Sequence, residues 1–341
     1  MSEASKMAIK VAASLALTIF LALSFGWEKP YWGAIAVVVM GTTESYGHAI
    51  QKASHRVLGT LIGAVLGFTL IACFGQQREL FFLSITGLGA FVAYMSARSP
   101  NGYVYKMAFI VAIIVSLAGG LSEGYSFHLA ILRLEENLLG VICFSTVFSV
   151  LWPNSNTLSS SVKSQDGKPT VALSTKQEGY LRALKFICIT CVSWALWIYL
   201  PIPGGFMFPL IAATMGVSMV EFKSKLMNKM LGLIYLWSIV IILQYVFILP
   251  TLDAGWQLAA FYFINCFAIW RVFYRPEHMV VRMLGGQFLV LLTMSAQYLR
   301  PVYDINSPLQ MLLFLSLVLV TIKIVMQLAE AVFEPSQTRL A

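Results

Sequence analysis

The feature that most constrains this chain is a series of apolar stretches of 15 to 22 residues, which recur along the whole sequence. A stretch of that length is what an α-helix needs to cross the hydrocarbon core of a bilayer. Hydrophobic residues make up 59% of the chain and charged residues only 11%, which leaves too little polar surface for a soluble globule of this length. We therefore predict an all-α polytopic membrane protein.

Charged, proline-containing and polar clusters divide the chain into about twelve transmembrane helices. Residues 1–152 hold the first six predicted helices and residues 181–341 hold the last six. Residues 153–180 are rich in serine, asparagine and glutamine, and we predict a polar cytoplasmic linker there. The domain prediction is thus two six-helix transmembrane repeats joined by this linker.

The two predicted halves resemble each other at positions separated by about 175 residues. Lys10 corresponds to Lys185, Gly59 to Gly232, and Lys106 to Arg282. We interpret this as an internal duplication. Because six helices return the chain to the side where it began, both halves cross in the same direction and form a parallel repeat.

Lysine and arginine residues concentrate in alternate loops, which predicts the orientation of the chain. With the N-terminus cytoplasmic, the loops on the opposite side hold only a few basic residues, namely Lys29, Arg78, Arg133 and Arg300. Both termini are then cytoplasmic. The net charge of +8 is explained by this topology, so we expect no nucleic-acid partner.

The stretch from Lys52 to Gly67 combines a basic start with glycines at every fourth position. We interpret Lys52 and Arg56 as a topology anchor at the membrane surface. Gly59, Gly63 and Gly67 share one helix face, which lets another backbone approach closely. We expect this face to seat the first short span. The sequence leaves open whether it packs within one protomer or between protomers of a homo-oligomer.

Two short spans, Tyr31–Tyr46 and Phe206–Val220, are each preceded by proline and lie at matching places in the two halves. Short or interrupted spans in corresponding positions indicate the central site of a transporter. Glu44 and Glu221 lie at their ends, either as cytoplasmic surface charges or as substrate or proton ligands. The aromatic candidates for contact with a ligand are Tyr31, Trp32 and Phe206; an interfacial aromatic belt is the alternative.

Arg133 and Glu136 lie three residues apart at the outer start of the sixth span, so their side chains can pair on one face. Charges at this depth are costly unless they pair or line a wet cavity, which makes both residues functional candidates. An interfacial ion pair is the alternative. A buried carboxyl group can carry a proton during exchange, whereas one beside an arginine stays ionised.

No nucleotide-binding, metalloprotease or serine-hydrolase motif occurs in the sequence. Cys188 and Cys191 have CxxC spacing but lie inside an apolar helix, where buried thiols are the ordinary interpretation. We therefore expect a protein that is not an enzyme and that has neither a cofactor nor a metal site.

Trp32-Gly-Ala-Ile-Ala-Val-Val-Val, then Lys52, then Arg56-Val-Leu-Gly-Thr-Leu-Ile-Gly form a pattern that resembles the fusaric acid resistance / aromatic acid exporter family. The resemblance is specific over residues 27–68 and weaker over residues 201–232. It implies a bacterial inner-membrane exporter of small aromatic or weak-acid compounds, often working with a periplasmic membrane-fusion adaptor. Larger members of the family carry cytoplasmic domains after each six-span block, so the resemblance is to a compact member.

The leading hypothesis from the sequence is a proton-coupled secondary exporter with a substrate site between its two halves. Its expected partners are a small-molecule substrate, the lipid bilayer and a membrane-fusion adaptor protein. The alternative is a non-transporting membrane scaffold or assembly subunit that recruits an envelope partner.

Overall fold

The computed structural model describes residues 2–27, 31–42, 46–118, 123–152, 176–202, 207–222, 224–275 and 278–333. Regular structure in these ranges is helical, with short 3₁₀ turns after two of the helices and no strand. The all-α prediction is confirmed. The α-helices in chain order are α1 Glu3–Ser24, α2 Tyr31–Met40, α3 Tyr46–Phe74, α4 Arg78–Arg98, α5 Gly102–Ala118, α6 Glu123–Val150, α7 Lys176–Tyr199, α8 Met207–Met219, α9 Ser224–Phe247, α10 Gly255–Val272, α11 Met279–Leu292 and α12 Asn306–Phe333.

Among the described residues, six helices are long and apolar enough to cross a membrane: α1, α3, α4, α7, α9 and α12. Four shorter apolar helices, α2, α5, α8 and α11, accompany them. Large apolar side chains such as Val65, Leu83 and Phe247 stay exposed on the long helices, at 66%, 68% and 71% of their surface. An exterior of this kind suits lipid rather than water.

The chain forms two compact units that do not follow its linear order. Unit 1 comprises residues 1–54, 133–168 and 229–312, and unit 2 comprises residues 55–132, 169–228 and 313–341. Each unit therefore takes helices from both predicted halves. The first, second and sixth helices of one half join the third, fourth and fifth of the other. The predicted division at residues 152 and 181 stays a prediction.

Equivalent helix pairs occur in both units. In unit 1, α1 packs against α10 and α2, and α2 packs against α11. In unit 2, α7 packs against α4 and α8, and α8 packs against α5. The predicted repeat matches α7 with α1, α8 with α2, α4 with α10 and α5 with α11. Each unit is therefore built around the same set of pairings.

The short helices form the interior of their units. Residues from Gly33 to Met40 of α2 are all buried. On α8, Phe208, Ala212 and Val217 are at most 1% exposed. An interior helix of 10 residues, as in α2, extends about 15 Å and cannot cross a bilayer core of about 30 Å. Within a bilayer, at least one end of such a helix lies at membrane depth, where polar residues are costly.

The glycine face of α3 packs against α5 in unit 2, and not against the short span that we expected. A Cβ atom built at Gly59 would lie 2.6 Å from Met107 Cβ, and one built at Gly67 would lie 2.9 Å from the Ala112 carbonyl oxygen. At Gly63 it would overlap the Ala108 carbonyl oxygen. These distances are too short for any side chain, so the contact with α5 requires glycine.

Replacing Gly63 by leucine should destabilise unit 2 by about 3 kcal/mol or more, because α3 and α5 would have to separate. Thermal unfolding of the purified protein in detergent measures this effect. Gly232→Leu is the matched control, because nothing lies within 4 Å of a Cβ built at that helical glycine. Equal unfolding temperatures for the two variants would contradict the close α3–α5 contact.

Candidate functional site

The start of α2 and the middle of α6 meet at a close backbone contact in unit 1. A Cβ atom built at Gly33 would lie 2.8 Å from the Glu136 carbonyl oxygen, and one built at Gly140 would lie 2.7 Å from the Gly33 carbonyl oxygen. Both contacts are closer than real Cβ atoms adopt. This crossing brings Tyr31 and Trp32 beside the charged residues of α6.

Arg133 and Glu136 form a buried ion pair at this crossing. Arg133 Nη1 donates to Glu136 Oε2 over 3.0 Å, and the two side chains are 6% and 0% exposed. Their three-residue spacing on α6 places both on one face, whereas Glu135 between them is exposed. A pair so thoroughly removed from solvent contributes little net stability, because desolvation offsets most of the attraction.

Two aromatic rings from α2 cover the arginine. The guanidinium carbon of Arg133 lies 4.3 Å from the centroid of the Trp32 ring and 5.4 Å from that of Tyr31. These distances are within the range of cation–π attraction. Arg133 Nη2 also reaches the Tyr31 hydroxyl, but at 3.5 Å the contact is a weak hydrogen bond. We name these four residues, Tyr31, Trp32, Arg133 and Glu136, the arginine cluster.

Three buried polar atoms of the arginine cluster have no hydrogen-bond partner among the described residues: Trp32 Nε1, Arg133 Nε and Glu136 Oε1. Leaving a buried donor or acceptor unpaired costs about 1–3 kcal/mol, and more for charged groups. Native proteins pair the large majority of such groups. Three orphaned atoms in one small cluster therefore mark a place where a polar ligand would gain hydrogen bonds.

Glu221, which the sequence suggests as a substrate or proton ligand, lies in a network of charges in unit 2. Its Oε1 accepts from Lys106 Nζ on α5 and from Arg182 Nη1 on α7, the latter over 3.2 Å. Arg182 Nη2 also donates to Glu178 over 2.5 Å. Glu221 thus ties the end of α8 to α5 and α7. This geometry accounts for it structurally, and a substrate or proton role for Glu221 stays a prediction.

Other predicted residues have no described side chain or have a different setting. Glu44 and Phe206 lie outside the described residues, as does the side chain of Lys52. Arg56 is buried in unit 2, where its Nη1 donates to the Tyr103 hydroxyl over 3.2 Å. The predicted surface anchor therefore includes an arginine that packs against α5.

No pattern in the sequence points to Gly33, Gly140 or Arg182 as residues of the site. Gly33 stands directly after Trp32, and Gly140 lies one helical turn beyond Glu136 on the same face of α6. A glycine close in sequence to a candidate side chain was the signal that could have indicated this helix crossing. Arg182 carried no signal, because its partner Glu221 comes from another helix.

Replacing Gly33 by alanine should force α2 away from α6 and destabilise unit 1 by about 1–3 kcal/mol. Thermal unfolding in detergent measures the change. Gly285→Ala is the matched control, because that buried helical glycine of unit 1 has 3.7 Å of clearance from its nearest neighbour. A Gly33→Ala variant as stable as Gly285→Ala would show that α2 and α6 tolerate a wider separation.

Comparison with known proteins gives a family for the first part of the chain. Residues 6–168 match the fusaric acid resistance protein family. The relatives include p-hydroxybenzoic acid efflux pump subunits AaeB. That of Escherichia fergusonii is 26% identical over 160 residues, which cover 44% of this chain and 24% of the relative. That of Escherichia coli K12 is 26% identical over 148 residues, covering 40% and 23%.

The AaeB subunit of Enterobacter cloacae is 25% identical over 152 residues, covering 42% of this chain and 23% of the relative. The matched region thus spans about a quarter of the length of these curated relatives. No solved structure matches the chain. The matched region contains α1 to α6 and with them all four residues of the arginine cluster. Over residues 6–168, this membrane protein is similar to the fusaric acid resistance protein family.

Proposed function

We propose that this protein is a secondary transporter that exports small aromatic or weak-acid compounds. The observation that carries the proposal is the arginine cluster, in which a buried guanidinium lies against two aromatic rings and keeps an unpaired donor. The guanidinium attracts an anion and the rings of Tyr31 and Trp32 offer a stacking surface to an aromatic group. The family match and the efflux function of the relatives point to the same substrate class.

A purely structural role would leave the composition of the cluster unexplained. An apolar replacement of a buried ion pair is often neutral or stabilising, so stability alone gives no reason to keep Arg133 and Glu136. In a stabilising network the polar atoms would also be satisfied, whereas Arg133 and Glu136 each keep one buried atom without a partner among the described residues. Ionisable residues with these properties inside membrane helices are typical of substrate and proton pathways.

Export is coupled to protons in this proposal, and Glu136 is the group that exchanges a proton. Its Oε1 is buried and lacks a partner among the described residues, so it offers a position for a proton. Its other oxygen binds Arg133, so protonation of Glu136 weakens the ion pair between its carboxyl group and the guanidinium. The charge state of Glu136 then controls how strongly Arg133 attracts an anionic substrate.

The remaining features of the proposal follow from the charge distribution and the family. The chain lies in the bacterial inner membrane with both termini cytoplasmic, as the positive-inside rule predicts. Its proposed partner is a periplasmic membrane-fusion adaptor, and the description of the relatives as pump subunits supports an assembly of several components. A scaffold that recruits an envelope partner without transporting remains the rival function.

Transport can be measured as uptake of radiolabelled 4-hydroxybenzoate into inside-out membrane vesicles. Uptake should be saturable and faster with a proton gradient, and Arg133→Gln should lower it by about tenfold or more, because the anion loses its charge partner. Arg300→Gln, which removes an exposed arginine outside the cluster, should transport like the unmodified protein. Non-saturable uptake that ignores the gradient would favour the scaffold.

The proton role of Glu136 predicts a separate change in the pH response. Glu136→Gln keeps a hydrogen-bonding side chain of the same shape but cannot exchange a proton, so uptake should no longer respond to an imposed pH gradient. Glu135→Gln, at the exposed neighbouring position, is the control and should keep the response. A Glu136→Gln variant that is stimulated by the gradient as strongly as the control would exclude Glu136 as the proton carrier.

A further inference from the structure

We infer that the arginine cluster binds one carboxylate group side-on, at the edge of Arg133 formed by Nε and Nη2, with the Trp32 indole N–H as an additional donor. This inference rests on the proposed function and specifies the chemistry of its site. It assigns the three donors to the acid group of the substrate and gives Glu136 a positioning role. It also predicts which compounds the site rejects.

The hydrogen bonds already made by Arg133 decide which of its edges is open. A guanidinium presents five N–H donors in a rigid, planar fork. Nη1 is engaged by Glu136 Oε2 at 3.0 Å. Nη2 has only the long 3.5 Å contact with the Tyr31 hydroxyl, and Nε has no partner among the described residues. The open donors therefore lie together on one side of the guanidinium.

The side edge of a guanidinium has the geometry that a carboxylate needs. The Nε–H and one Nη2–H bond point in parallel, and two parallel N–H···O bonds to both carboxylate oxygens form the strong bidentate arrangement. A single ammonium group cannot reproduce that fork, so lysine is a poor substitute at such a position. The site is thus selective for planar acid groups rather than for negative charge alone.

Glu136 and Trp32 fix the orientation of this edge. Glu136 is fully buried and binds the end of the guanidinium, so Arg133 cannot rotate freely. The Trp32 ring lies 4.3 Å from the guanidinium carbon and limits movement out of the plane. The indole Nε1 is a further buried donor without a described partner. The donors are held before the ligand arrives, which lowers the entropic cost of binding.

This arrangement discriminates in two ways. A neutral analogue such as benzamide cannot accept from all the open donors and leaves buried polar groups unpaired, which sites of this kind reject by large factors. A second carboxylate on the ligand would have no cation of its own within the arginine cluster, so the cost of its desolvation would stay uncompensated. Aromatic monocarboxylates are therefore preferred over both amides and dicarboxylates of the same size.

Binding of benzoate and benzamide to the purified, full-length protein in lipid nanodiscs tests the inference. Titration calorimetry should show benzoate binding, with benzamide and phthalate roughly 100-fold weaker or undetectable. Arg133→Lys, which keeps the charge but loses the fork, should weaken benzoate binding by roughly 100-fold. Trp32→Phe, which keeps the aromatic face but loses the indole donor, should weaken it by roughly tenfold.

Arg56→Lys is the matched control, because Arg56 is equally buried but lies in unit 2. This variant should bind benzoate like the unmodified protein. Unchanged benzoate affinity in Trp32→Phe or in a folded Arg133→Lys would overturn the inference, as would equal affinities for benzoate and benzamide. If Arg133→Lys does not fold, Trp32→Phe and the benzamide comparison decide alone.

Binding and transport separate this inference from the proposed function. Benzoate binding that depends on Arg133 and Trp32, in a protein that does not accumulate the acid in vesicles, would sustain the carboxylate site and refute export. Saturable export with unchanged benzoate affinity in both variants would sustain the transporter and place the carboxylate elsewhere.

Discussion

The cost of placing a charged group among apolar helices governs the chemistry of this protein. Arg133 is 5% exposed, and Glu136 and Trp32 are the neighbours that make its position tenable. A guanidinium tolerates such a setting better than an ammonium group, because its charge is delocalised and weakly hydrated. One ion pair and two aromatic faces offset part of the desolvation cost. The part of the desolvation cost that these contacts do not offset is free energy that a bound ligand can recover.

Each unit combines helices from both predicted halves, and the two units are similar in their helix packing but differ in their chemistry. Both units repeat the same helix pairings, yet α12, which the predicted repeat matches with α6, begins with Asn306, Ser307 and Pro308 instead of a charged pair, and these residues belong to unit 1 as well. Unit 2 instead concentrates its charges around Glu221 and Arg182. The same set of helix pairings thus accompanies a buried, incompletely paired site in one unit and a chain of mutually paired charges in the other.

The sequence predicted what depends on local composition and spacing. The apolar stretches indicated the helices, and the three-residue spacing indicated that Arg133 and Glu136 could pair. It did not predict which helices pack together when they are far apart in the sequence. The glycines of α3, for example, indicate a close contact but carry no information about which helix makes it. The setting of Glu221 was missed for the same reason, since Arg182 belongs to another helix. The α2–α6 crossing likewise depends on two single glycines, which form no repeating pattern.

The pairing of helices across the two halves also bears on how the chain is made. The main partner of α1 is α10, and the main partner of α4 is α7, so neither helix of the first half meets its principal neighbour until the second half has been synthesised. During synthesis the early helices must therefore be stable in the bilayer on their own before they pack against their partners. This order agrees with the two-stage model, in which helices insert first and associate afterwards. Their strong apolarity then serves biogenesis as well as the final structure. Unit 1 is completed only when the chain has been synthesised to Leu312, which lies beyond the end of α11 at Leu292.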